Sequence, residues 1–500
     1  MTRVPALVSI AAMALLGALR RGFGLIGMAV LTRLLTPSEV GAYAFAQSAG
    51  QTFVGLMRLG ALQGLHVALS RRSEDDRAEI GDLIGGGLTL VAGIALVGCV
   101  GMLALADPIA HRLFGAPELA PVMAAAAVFF AGQFLSRGVY VVYAGLDQFV
   151  AYTRWATWVG AATLGTTVAG AVLVGVEGAI WGLALGTLAG VPILAVGLDP
   201  VLRQARLRPR ICLRRDHLRQ IFSIGLPFYG AGIFMVPAVF ASQGAVSRFG
   251  GVSDLADLRI ILALMALVQL VPQAVSGPVI SLLSRREGGQ AGAGRAAAFV
   301  HMKWLWIVAL MGCSVLAGAW PVAVTLFFGP GYPNAVLLGP LALVCFIPTI
   351  VGTALSAGLL VGGRTRPMLA VGFVEGAIMA GMAFVLVPRA GLAGFLVAQG
   401  AASTAALLAW LAVLAAQTGT TPWRRWMGPL GAGTLLFGGT VVLHLNSAAQ
   451  GGPEGQALLW LPLVMGVLSI CALAEDERCW LRARIRMVVA RLRRRGGVIS

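Results

Sequence analysis

The chain has 500 residues, 58% of them hydrophobic and 11% charged, with 67 glycines and a formal net charge of +17. A soluble chain averages roughly 45–50% apolar residues, glycine included, and about 25% charged ones; even large soluble domains bury only about three quarters of their surface. That much apolar surface excludes both a soluble fold and a disordered chain, and the reading is an all-α polytopic membrane protein.

Apolar runs of about 20 residues, the length that crosses a bilayer, recur along the whole chain. They fall at 7–32, 41–69, 83–106, 121–146, 152–174, 178–198, 221–246, 259–283, 304–327, 336–361, 367–387, 392–416, 427–445 and 457–474. About fourteen transmembrane helices are therefore expected, with loops too short for a soluble domain. The first run continues to Leu31, past the length of a signal peptide, and reads as a membrane anchor. The tail of 476–500 is basic, and Leu481, Ile485, Val488, Val489 and Leu492 fall on one helical face, which suits a helix lying on anionic lipid.

Both termini fall on the same side of these crossings, and the arginines choose the side. They crowd the loops on the side of the termini, whereas the opposite loops hold Arg33, Arg112, Arg248, Arg259 and Arg389. Positive charge stays inside, so both termini are expected in the cytoplasm, and the net charge reports membrane orientation rather than a nucleic-acid partner.

The chain also repeats itself at an offset of about 214. Thr32-Arg33-Leu34 with Ser38-Glu39 matches Ser247-Arg248-Phe249 with Ser253-Asp254; Ser70-Arg71-Arg72 matches Ser284-Arg285-Arg286. Leu113-Phe114-Gly115 matches Phe327-Phe328-Gly329, Ala144-Gly145-Leu146 matches Ala357-Gly358-Leu359, and Gly178 matches Gly391. Each unit holds an even number of spans, so the copies point the same way and are related by an axis along the membrane normal. The expected layout is a six-helix lobe over 1–199, an Arg-rich cytoplasmic linker over 200–220 and a second six-helix lobe over 221–416. Two further helices over 417–475 and the tail follow, and a central cavity lies between the lobes.

Motifs for chemistry are sparse. Gly22-Phe23-Gly24-Leu25-Ile26-Gly27 fits GxGxxG but lies inside an apolar span, so close packing of helix backbones is the expected role. His66, His111, His217, His301 and His444 have no metal spacing, and the six cysteines form no CxxC pair. No catalytic residue, cofactor or metal ion is expected.

The informative residues are charges inside spans: Arg20, Arg21, Arg58, Arg137 and Glu375. A charge at the bilayer centre costs about 2.5–3.5 kcal/mol even on a lenient scale, so these should face a wet cavity or one another. Helical spacing sets Gln47, Gln51 and Arg58 on one stripe, Gln133, Arg137 and Tyr140 on another, and Gln269 and Gln273 on a third. All four arginines belong to the first repeat, which makes that lobe the expected anion holder. Glu375 is a candidate for ion coupling or for a salt bridge with Arg20 or Arg21. Structural charge pairing and snorkelling near span ends are the alternatives.

Leu19-Arg20-Arg21-Gly22-Phe23-Gly24 followed by Val30-Leu31-Thr32-Arg33-Leu34-Leu35-Thr36-Pro37-Ser38-Glu39-Val40-Gly41 resembles the opening of polysaccharide exporters. These are the lipid-linked oligosaccharide flippases of the multidrug/oligosaccharidyl-lipid/polysaccharide (MOP) superfamily. Gly225-Leu226-Pro227, Phe328-Gly329 with Tyr332, and Gly358-Leu359-Leu360 are similar too, and the likeness spans roughly residues 7–416. The chain also resembles the lipid II flippase branch, whose cavity arginines in the first two spans fall where Arg20, Arg21 and Arg58 stand here. The resemblance implies alternating access by a monomer in a bacterial cytoplasmic membrane. Its substrate would be an undecaprenyl-pyrophosphate-linked glycan for cell-surface polysaccharide, such as O-antigen or exopolysaccharide. Two rivals stand beside it: a multidrug cation antiporter, and a membrane glycosyltransferase, polymerase or ligase. Arginines are the wrong sign for the first, and the short external loops lack the paired carboxylates of the second.

Overall fold

The computed structural model describes residues 6–70, 77–211, 214–230, 232–269, 293–361, 366–418 and 424–449. The regular elements among them are helical: α1 (Ala6–Leu34), α2 (Pro37–Met57), α3 (Ala61–Ser70), α4 (Arg77–Ala104), α5 (Val122–Gly145), α6 (Phe149–Val174) and α7 (Val176–Gln204). After the linker come α8 (Arg215–Tyr229), α9 (Met235–Gly250), α10 (Val252–Val268), α11 (Ala293–Phe328), α12 (Pro333–Val361), α13 (Arg366–Thr418) and α14 (Arg424–Ala449). Eight described helices are long and apolar enough to cross a membrane, or nine if the bent α2–α3 pair is one span. Span 457–474, the tail and Gln273 lie outside the described residues.

The helices pack as two bundles of the same design. In the first, α6 pairs with α7 and α1, and α5 with α4 and α7; in the second, α13 pairs with α12 and α9, and α12 with α11. Helix α14 lies against α11 and α12. Small residues set the spacing where backbones meet: a Cβ on Gly170 would stand 2.0 Å from the Gly178 carbonyl oxygen, and one on Gly182 2.2 Å from that of Thr166. In lipid, such close approach replaces hydrophobic driving force as the source of helix association.

The turn between α1 and α2 explains the Thr36-Pro37-Ser38-Glu39 motif. Thr36 and Glu39 form a reciprocal capping box and Pro37 occupies the first helical turn. The stretch is a helix start, satisfying amides that would otherwise be orphaned.

Several sequence expectations need correction. Span 41–69 is broken: α2 and α3 meet at 58°, because Leu59 (φ 44°) and Gly60 (φ 73°) turn left-handed after Arg58. Span 221–246 is likewise split into α8 and α9, and the linker is shorter than 200–220, since α7 runs to Gln204 and α8 begins at Arg215. The eighth span begins at Val252, not at residue 259, so Arg259 lies two turns inside α10 rather than in an external loop.

Gly391 was matched to Gly178, but its backbone role belongs to Gly175. Both break a helix with unusual dihedrals, φ 74°, ψ −144° at Gly175 and φ 52°, ψ −129° at Gly391. The partner of Gly178 is Gly394, each set against a residue eight positions earlier, Gly170 and Leu386. Gly391→Ala is expected to destabilise by about 1–3 kcal/mol, since an L side chain rarely adopts that backbone. Gly381→Ala, which meets open space within the same helix, is expected to be neutral or to stabilise by about 0.5–1 kcal/mol. Thermal unfolding of the purified protein in detergent measures both.

Candidate functional site

A cavity of about 350 Å³ opens inside the first bundle. Its walls come from α1, α2, α5, α6 and α7, and α10 of the second bundle closes the remaining side. The central cavity expected between the lobes is thus lined in this state mainly by the first lobe, to which the second lends one helix.

Arg20 and Arg21 of α1 line the cavity, as do Gln47 and Gln51 of α2 and Gln133 of α5. Arg21 also donates to the Gly17 carbonyl at 3.4 Å, one turn back on its own helix. Gly24 and Gly27 line the cavity beside them. A Cβ on Gly22 or Gly24 would meet nothing within 4 Å, so these two glycines do not serve the backbone packing read from the sequence.

Arg58 and Arg137 do not line this cavity but stand in its electrostatic neighbourhood. Arg137 lies within reach of Arg58, Arg20 and Tyr152. Tyr140, one turn below Arg137, stacks on Tyr152 with ring centroids 4.7 Å apart, and Tyr152 forms part of the cavity wall. Arg58 sits at the α2–α3 bend. Arg20, Arg137 and Arg58 thus form a cationic track from the cavity toward the α2–α3 bend.

The sequence reading missed Arg259. It lines the cavity from α10, together with Leu262, Ala263 and Ala266. It also borders a second cavity of about 90 Å³ with Ser48, Gln51 and Gln243, and it lies within electrostatic reach of Tyr43. The claim that all cavity arginines belong to the first repeat is overturned. The signal was in the sequence: aligning Thr32–Glu39 with Ser247–Asp254 starts the eighth span at residue 252, which places Arg259 within it. Tyr43, Ser136 and Tyr152 were missed for a plainer reason, since nothing separates a cavity-facing tyrosine or serine from a packed one by type.

Buried polar groups normally find partners. Here Gln47 Oε1, Arg58 Nε, Ser136 Oγ and Arg259 Nε have none among the described residues. Three of these four residues line the cavity. No aspartate or glutamate lines it among the described residues. Glu375 is on α13, is partly buried, and makes no ion pair among the described residues, so the bridge to Arg20 or Arg21 is not formed. Its neighbour Gly376 packs on Phe234 much as Gly160 packs on Phe23. Glu375 is therefore the counterpart of the cavity residue Val159, on the second lobe. Gln269 caps the end of α10. No group of three or more metal-ligating side chains occurs among the described residues.

The two-lobe helical fold is similar to those of solved MOP-superfamily transporters. An inward-facing multidrug resistance MATE family transporter of that superfamily matches with a TM-score of 0.66 at 18% identity, covering 80% of this chain and 96% of its own. The lipid II flippase MurJ in an inward closed conformation matches with a TM-score of 0.66 at 14% identity, covering 93% and 97%. A MOP transporter from Pyrococcus furiosus, described as having a binding pocket of reversed polarity, matches with a TM-score of 0.60 at 16% identity, covering 82% and 96%. No curated protein matches the sequence. The polysaccharide biosynthesis protein family matches residues 7–282, more than half of the chain, and the chain belongs to that family.

Proposed function

We propose that this protein flips a polyprenyl-pyrophosphate-linked oligosaccharide from the cytoplasmic to the outer leaflet of a bacterial cytoplasmic membrane by alternating access. The observation that carries the reading is the sign of the cavity: Arg20, Arg21 and Arg259 face it, with no lining carboxylate. A pyrophosphate crossing the membrane must shed water, and guanidinium groups replace that hydration with bidentate, charge-assisted bonds. Neutral glutamines and tyrosines around them suit sugar hydroxyls.

Size adds to the argument. A volume of about 350 Å³ is at the lower end of the roughly 300–1,000 Å³ of small-molecule sites. It holds a head group and not a chain of sugars, so the lobes must part to pass the glycan. The polyprenyl tail stays in lipid, and the cytoplasmic placement of both termini follows from the arginine bias. A cationic drug would meet repulsion in this cavity, which disfavours the antiporter reading.

The test is reconstitution. Purified protein in liposomes is expected to move a fluorescent lipid-linked oligosaccharide between leaflets without altering it covalently, and empty liposomes are not. Glu375→Gln tests ion coupling: transport should lose its dependence on an imposed proton or sodium gradient. Unchanged gradient dependence would remove Glu375 from that role while leaving the flippase reading intact.

A further inference from the structure

The two repeats are joined on the external face by a pair of matching contacts. Arg33 Nη2, at the end of α1, donates to the Leu326 carbonyl of α11 at 2.7 Å. Arg248 Nη1, at the end of α9, donates to the Arg112 carbonyl at 2.9 Å. Both donors and both acceptors are related by the repeat offset, and each bond runs from one lobe to the other. The pair is one contact made twice about the axis between the lobes.

Each acceptor is well chosen. Leu326 and Arg112 lie in the last turns of α11 and of the π-helical segment Pro108–Phe114, where carbonyls lack partners within the helix. A guanidinium there satisfies a carbonyl and complements the negative end of the helix dipole. The stem of Arg248 lies over Gly115, whose Cβ, if it had one, would stand 3.1 Å from Arg248 Cγ.

Between the two contacts, α2 crosses α10 so closely that a Cβ on Gly41 would stand 2.0 Å from the Val252 carbonyl oxygen. Below them, Ser48 donates to Gln243 across the lobes, and Phe114 packs edge-to-face on Phe45 and at a tilt on Phe240, with ring centroids 4.7 and 5.2 Å away. The small cavity that shares Gln51 and Arg259 with the main one ends at this layer.

We infer that Arg33 and Arg248 form a reciprocal latch that holds the external gate shut, and that the path outward from the cavity opens when both guanidiniums leave their carbonyls. The latch rests on the alternating-access reading but concerns the gate and not the cargo. Its bonds go to backbone carbonyls, so no carboxylate partner needs to be titrated, and the latch works regardless of the coupling ion.

The experiment reads gate opening without substrate. Leu262→Cys, which borders both cavities, is placed in a background free of native cysteines. A membrane-impermeant maleimide is then added to the external side of intact cells that make no lipid-linked glycan. Arg33→Gln and Arg248→Gln should each raise the labelling rate on the order of tenfold, and the double variant should exceed either, as expected for the loss of one or two charge-assisted bonds. Arg33→Lys with Arg248→Lys, which preserves charge and folding, should label at a rate between the parent and the double glutamine variant. Labelling of either double variant at the parent rate would overturn the latch. So would a single glutamine variant that labels as fast as the double, since one contact would then suffice. Because no glycan is present, a failed latch and a failed flippase reading are told apart: the first shows in labelling, the second in liposomes.

Discussion

Arg259→Ala is expected to abolish most glycan export while leaving the protein as stable as the parent or more so. The two halves of that expectation come from one observation. Arg259 reaches the cavity from α10, its Nε has no partner among the described residues, and it makes no ion pair there. A half-buried cation whose Nε has no partner contributes desolvation cost to the empty protein, so its removal relieves the fold. With a pyrophosphate in place the same group gives a charge-assisted contact of about 1.5–3 kcal/mol, so its loss weakens binding tenfold or more. Arg259→Lys should recover part of the activity, because lysine keeps the charge but not the fork. Arg20→Ala should likewise weaken export, and combining it with Arg259→Ala should leave no measurable export, since of the arginines lining the cavity only Arg21 remains. Complementation of glycan export at matched expression, with thermal unfolding in detergent, measures both. A structural charge would show the opposite pattern: normal export and a lower melting temperature.

Much of this was legible in the sequence, and the limits are physical. Composition and apolar run length set the class, because lipid demands long helices whatever their packing. The repeat was legible because turns need particular residues: Phe114-Gly115 and Phe328-Gly329 both end a helix on a left-handed glycine, φ 65° and 87°. Arg20 and Arg21 could be placed because a charge inside an apolar run has few places to go. Arg259 was lost because the apolar run that marks span 8 begins at it, which makes it look like a loop-end charge, whereas the helix begins earlier, at Val252. Hydropathy finds the part of a helix that meets lipid, and the polar turn lining a cavity is discounted as loop. The bend at Leu59–Gly60 and the division of span 221–246 into α8 and α9 were invisible for a related reason: an apolar run continues through a break when the freed backbone groups are satisfied by a neighbouring helix.

The α3–α8 end of the cavity, cytoplasmic in the orientation proposed above, gives the last expected result. Helix α8 ends at Tyr229, separate from α9, and packs on α3 of the first bundle. The seam is made of backbone: a Cβ on Gly64 would stand 2.0 Å from the Ile221 carbonyl oxygen, and one on Gly225 1.9 Å from that of Gly60. Tyr229 fixes the register by donating its hydroxyl to the Leu56 carbonyl. Only glycine fits either position while the helices touch, so Gly64→Val and Gly225→Val should each hold the cytoplasmic side open. Overpacking of this kind costs about 1–3 kcal/mol, which shifts the balance between closed and open roughly 5- to 150-fold. Ser136→Cys, a cavity position, should then label faster from the cytoplasmic side in inside-out vesicles, while labelling from the external side slows. Substrate binding should persist and flipping should fail, because a transporter that cannot close one mouth cannot safely open the other. Gly93→Val, whose added methyls meet no neighbour at the Cβ position, serves as the control and should leave both labelling and transport unchanged. Normal transport in both seam variants would mean that α3 and α8 never need to meet, and the closed mouth would then be incidental to the cycle.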